Sequence, residues 1–151
     1  MLDSDLLSPP RILANVSINS KKRLLELISL TLAKKNTELN SREIFQSLCA
    51  REHLGNTTLG NGVAMPHGRI HGTEDVEAIF LRLVKPLELD ADDGQPVDLV
   101  FALVVPEQCT DDHTKLLESI AERFGDAGFV SQLREAEDNN ELWQLLANPN
   151  T

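Results

Sequence analysis

Apolar residues recur along this chain at spacings that separate helix from strand. Ile12, Leu13, Val16 and Ile18 predict a short strand. It follows residues 2–8, which read as a short helix or arm stopped by Pro9-Pro10. From Ser20 to Lys35, Leu24, Leu27, Ile28 and Leu32 share one helical stripe, and two lysines in the last turn complement the dipole. Asn40 with Glu43 three residues later resembles a capping pair. It opens a second helix to His53, with Ile44, Phe45, Leu48 and Cys49 on the apolar side.

The pattern then changes. Glycines at 55, 60, 62, 68 and 72 punctuate a stretch whose one apolar run is Val63-Ala64-Met65. This predicts a loop, a short strand, then Pro66 and an exposed turn. In Val76–Val84, the residues Val76, Ala78, Phe80 and Arg82 alternate with Glu77, Ile79 and Leu81. Both faces are mostly apolar, which suits a central strand. Residues 85–97 are turn-rich, and Asp98–Val105, DLVFALVV, reads as a strand covered on both sides and ended by Pro106. A long helix is expected over 112–124, with Leu116, Leu117, Ile120, Ala121 and Phe124 inward. Two short helices come after it at Phe129–Ala136 and Glu141–Ala147, the last carrying Trp143, Leu145 and Leu146. Strands interleaved with helices, around a sheet buried on both faces, predict one three-layer α/β domain with a mixed sheet spanning residues 1–151.

Composition narrows the function classes. With 151 residues, 41% hydrophobic and 25% charged, the chain can bury a core of its own. The net charge of −10 is uneven: residues 1–50 hold seven Lys and Arg against five Asp and Glu, and the remainder seven against nineteen. No basic footprint exists for nucleic acid, and the acidity disfavours anionic membrane surfaces. The N-terminal MLDSDLLSPPR lacks a basic n-region and a long apolar core, so it does not read as a signal peptide, and no apolar run suffices for membrane insertion. Cys49 and Cys109 stand apart without a CxxC, consistent with idle thiols in a reducing cytoplasm.

The candidate chemistry centres on His67, in LGNGVAMPHG. Gly60 and Gly62 permit backbone shapes closed to other residues, Pro66 stiffens the approach, and Gly68 leaves the imidazole uncovered. An imidazole titrates near neutrality and keeps one ring nitrogen free to attack, which suits phosphoryl transfer. A resulting phosphohistidine would need a guanidinium or a second ring nearby to balance its charge. Taken alone, His67 reads equally well as a turn histidine satisfied by local backbone. His67 and His71 are four apart, a zinc spacing on a helix, but Pro66, Gly68 and Gly72 argue against one. His53 reads as a helix-end surface histidine, and His71 as near the site but outside it. By position alone, Arg51 reads as a solvated cation favoured by the helix C-terminus.

Three blocks, LGNGVAMPHGR, DADDGQPVDLVFALVVPE and DDHTKLLESIAERF, occur in an order and spacing that resemble the enzyme IIA component of the phosphoenolpyruvate-dependent phosphotransferase system. The branch is the fructose/mannitol-type superfamily, and within it the nitrogen-regulatory proteins; the resemblance runs from Leu6 to Leu146. It implies that His67 is the phosphorylated histidine, that His113 is the second active-site histidine, and that Arg51 is the active-site arginine. Met65 departs from the usual isoleucine, Asn56-Thr57-Thr58-Leu59 from a commoner Ser-Thr-Gly-Ile, and Thr114 from a frequent leucine.

The resemblance implies a cytoplasmic phosphoryl carrier needing no metal or organic cofactor. Its expected partners are a histidine phosphocarrier protein of the nitrogen-type system and regulatory targets such as transporters or kinases. One alternative is the IIA component of a sugar permease, handing phosphate to a IIB domain. Another is a binding module that is never phosphorylated, and a third is a metal-dependent hydrolase, which would require zinc.

Overall fold

The computed structural model describes Leu7, residues 11–108 and residues 110–147. The expected arm at 2–8, Leu7 aside, and Cys109 lie outside the described residues. In chain order the elements are β1 (Ile12–Val16), α1 (Lys21–Lys35), α2 (Ser41–His53), β2 (Thr58–Gly60), β3 (Val63–Ala64), β4 (His67–Ile70), β5 (Glu77–Leu87), β6 (Val97–Pro106), α3 (Asp111–Phe124), α4 (Ala127–Glu135) and α5 (Asn139–Ala147). Among the described residues no helix is long and apolar enough to cross a membrane.

The sheet runs β1-β5-β6-β3-β2, with β4 also paired to β6. It is mixed: β1 lies parallel to β5, β5 antiparallel to β6, and both β3 and β4 parallel to β6. Alternation along β5 divides the core as the sequence predicts. Ala78 and Phe80 pack with Ile120, Phe124, Phe129, Leu133 and Leu142 on the α3–α5 side. Ile79 and Leu81 pack with Leu24, Ile28, Leu32, Ile44 and Leu48 on the α1–α2 side. Helices cover both faces, giving the three-layer α/β arrangement.

Local signals set the helix starts. Ser20 and Asn40 cap α1 and α2 by accepting from the N–H groups of Arg23 and Glu43. Glu43 does not close a capping box, however. Its carboxylate accepts instead from the N–H of His71, across the structure.

Two expectations are corrected. Residues beyond Pro66 are not an exposed turn but strand β4. Val63, Ala64, His67 and Gly68 pair with Leu99, Val100, Leu103 and Val104 in one unbroken register. Pro66 interrupts only its own N–H, while its carbonyl still accepts from Leu103 N–H at 3.0 Å. The turn-rich stretch also begins later than expected, because β5 continues to Leu87. Arg82 faces Leu99 and Leu87 faces Val97, so Lys85 and Pro86 sit in a wide bulge where a proline costs no ladder bond.

Candidate active site

His67 opens β4, which is bonded to β6 on one side only among the described residues. The side chain's direction follows from the pleat. Met65 belongs to the α3-side core, and the space above Gly68 is filled by Ser47 of α2 on the other side. His67 therefore points to the α3 face, half-buried. Its Nδ1 lies 2.8 Å from the carbonyl oxygen of Met65. A carbonyl only accepts, so Nδ1 must carry the proton, and the lone pair of the neutral ring sits on Nε2. The turn-histidine reading is thus half right: one nitrogen is satisfied by local backbone.

Gly68 has a different purpose from the one its sequence context suggests. It is buried, and a Cβ there would collide with Ser47 Oγ. The glycine lets α2 pack closely on β4 rather than uncovering the ring.

His113 is the third residue of α3, on the same face of the sheet as His67. Its Nδ1 accepts from Thr110 N–H at 3.1 Å while Thr110 caps the helix, a reciprocal capping box. With Nδ1 used as an acceptor, the neutral ring carries its proton on Nε2. The two histidines therefore hold opposite tautomers. The Thr-x-x-His box escapes a reading of the sequence, since the usual pattern has Glu or Gln at the second place.

Arg51 lies in the last turn of α2, on the opposite layer. Its Nη1 donates to Gly55 O at 3.0 Å, so it is not a freely solvated cation. The three side chains make no hydrogen bond to one another among the described residues. Arg51 and His67 are nevertheless tied through one segment: Gly55 holds the guanidinium, and Thr57 O accepts from Met65 N–H at 2.9 Å.

His71 is engaged elsewhere. Its Nε2 is 2.7 Å from Glu107 Oε2, and its Nδ1 is 3.6 Å from Glu43 Oε1. It shares with His113, Thr110 and Glu107 an open cavity of about 380 Å³ beyond the C-terminal ends of β4 and β6. His53 is exposed at the end of α2.

The chain is similar to known proteins in sequence and in fold. The chain is 43% identical over 141 residues to the nitrogen regulatory protein of Pseudomonas aeruginosa, covering 93% of this chain and 92% of that one. The crystal structure of nitrogen regulatory protein IIA-Ntr from Neisseria meningitidis superposes with a TM-score of 0.89 at 36% identity, covering 95% and 97% of the two chains. IIA mannitol from Escherichia coli shares the fold, with a TM-score of 0.77 at 19% identity over 93% of this chain and 99% of that one. The family model for the phosphoenolpyruvate-dependent sugar phosphotransferase system, EIIA 2, matches residues 5–148. With its capped helices, mixed sheet and histidine-led β4, the chain belongs to that EIIA 2 family.

Proposed function

We propose that this chain is one enzyme IIA unit acting as a cytoplasmic phosphoryl carrier of the nitrogen-related phosphotransferase system. It accepts a phosphoryl group on His67 from a histidine phosphocarrier protein and regulates target proteins according to its phosphorylation state. The observation that carries this reading is the bond from His67 Nδ1–H to Met65 O, which leaves Nε2 as the nucleophile on a half-buried ring.

In the transfer, a bond forms between Nε2 and phosphorus as the donor's N–P bond breaks, and the electron pair of that bond returns to the donor imidazole. The Nδ1 proton stays where it is, and the Met65 carbonyl stabilises the positive charge that develops on the ring. The phosphoryl oxygens bring roughly two negative charges. Arg51 supplies guanidinium N–H groups beyond the one held by Gly55, and His113 supplies its Nε2–H, both as donors to those oxygens. Similarity to nitrogen regulatory proteins supports a regulatory output rather than sugar transport.

Incubation with phosphoenolpyruvate and the general phosphotransferase proteins tests this. Native mass should rise by about 80 Da, one phosphoryl, and fall back on mild acid treatment. His67→Ala should fold and take up nothing. Labelling that persists in His67→Ala places the acceptor elsewhere. Pull-downs with wild type, His67→Ala and a His67→Asp charge mimic then read the regulatory output, and a partner set identical for all three argues against it.

A further inference from the structure

We propose that Thr57 and Glu52 are positioning residues that fix the tautomer of the acceptor imidazole and the seat of Arg51, an inference that rests on reading His67 as the acceptor. Glu52 follows Arg51 on α2, and its side chain is only 8% exposed. A carboxylate in that position needs partners for both oxygens. Oε1 receives Lys21 Nζ from α1 at 3.0 Å, and Oε2 receives the hydroxyl of Thr57, itself buried. A charged carboxylate accepting from a neutral hydroxyl makes one of the stronger hydrogen bonds available to a protein.

That bond fastens segment 55–57 at the point where two functional groups depend on it. At one end, Gly55 O accepts from Arg51 Nη1. At the other, Thr57 O accepts from Met65 N–H, and Met65 O accepts from His67 Nδ1–H. The peptide joining Met65 to Pro66 has no N–H with which to anchor itself. The direction of the Met65 carbonyl is therefore set by Thr57 holding the preceding N–H and by the fixed φ of Pro66. In water a neutral imidazole favours its proton on Nε2, the nitrogen that must attack. The Met65 carbonyl reverses that preference, and Thr57, through Glu52, keeps the carbonyl aimed.

The sequence context does not announce this arrangement. Glu52 and Thr57 are five residues apart across a helix end, and the link to His67 passes through backbone atoms. Among the described residues the Thr57 and Glu52 side chains bond to each other and to Lys21 rather than to His67, so their effect is on which ring nitrogen is protonated and where the guanidinium rests.

The test uses the full chain, labelled with nitrogen-15, as wild type, Thr57→Val, Thr57→Ala and Thr57→Ser. Imidazole nitrogen resonances at alkaline pH report which nitrogen of His67 bears the proton, and time-resolved native mass reports phosphoryl uptake. Wild type and Thr57→Ser should show the proton on Nδ1 and equal rates. Thr57→Val should show a mixture of tautomers and uptake slower by about threefold to tenfold, the scale of one lost hydrogen bond. Thr57→Ala should behave as Thr57→Val does and carries the comparison if the valine variant does not fold. Wild-type ring resonances and rates in both would overturn the inference, as would a Thr57→Ser variant no better than Thr57→Ala. If wild type takes up no phosphoryl group, the acceptor reading fails, while the ring resonances still decide whether Thr57 sets the tautomer.

Discussion

Ser47 of α2 occupies the space that any side chain at Gly68 would need, and its hydroxyl donates to Arg69 O at 2.7 Å. A Cβ on residue 68 would also lie 3.1 Å from the Ser47 backbone carbon, so rotating the serine does not clear it. Gly68→Ala should push α2 away from β4 and destabilise the fold by about 1–3 kcal/mol, the usual cost of overpacking. Urea denaturation measures this. Ser47→Gly in the same chain should recover part of the loss, and strict additivity of the two changes would refute the contact.

Arg51→Lys should fold normally yet transfer phosphoryl about tenfold more slowly, because an ammonium keeps the charge and loses the planar fork. Rapid-quench measurement of uptake at saturating donor checks the figure. A rate equal to wild type would remove Arg51 from the site.

His113 serves helix α3 as well as the proposed chemistry, so its two roles can be separated. His113→Ala removes the acceptor for Thr110 N–H and should cost about 1 kcal/mol of stability. His113→Gln should restore much of that, since Gln is a normal third residue of a capping box. Onward transfer should remain impaired in both. Full transfer in His113→Gln would leave the histidine a purely structural residue.

Glu77, at the start of β5, is buried and holds both the Arg11 guanidinium and Asn36 Nδ2 at the end of α1. Glu77→Ala would strand a nearly buried cation and should cost about 3 kcal/mol, with Glu77→Gln costing less because Asn36 keeps its acceptor. Chemical denaturation of the two variants tests the order. Equal, small effects would show that the cluster contributes little.

Cys49 lies half-buried on α2, where burial first and the Glu52 carboxylate second push its thiol pKa up. A raised pKa keeps the thiol protonated at neutral pH, so alkylation should be slow there and should accelerate only at higher pH than for a free cysteine. Glu52→Gln removes one of the causes and should move that profile to lower pH. Mass-detected iodoacetamide labelling in a Cys109→Ser background is the measurement. Labelling of Cys49 at neutral pH as fast as free cysteine would contradict the assignment.

Much of the fold is legible locally. Ser20 and Asn40 cap helices through contacts three residues long, and DLVFALVV is apolar enough to declare a strand with both faces covered. The same holds for β5, whose alternating residues separate into two cores. Strand β4 is not legible, because Pro66 and Gly68 read as breakers until a neighbouring strand supplies the register. Glu43 shows the same limit. Its N–H is bonded at short range to Asn40, but its carboxylate goes to His71, 28 residues away.

By itself, then, the sequence determined the layered fold and the family, the first through periodicity and caps and the second through three ordered motif blocks. The three side chains put forward for phosphoryl transfer follow from that family resemblance. The tertiary structure alone decided why residue 68 is glycine, which nitrogen of His67 holds its proton, and what supports the loop beneath Arg51. Each of those depends on a backbone carbonyl or a distant helix arriving within hydrogen-bonding or van der Waals range. Such an approach is created by folding and is carried by no single stretch of chain.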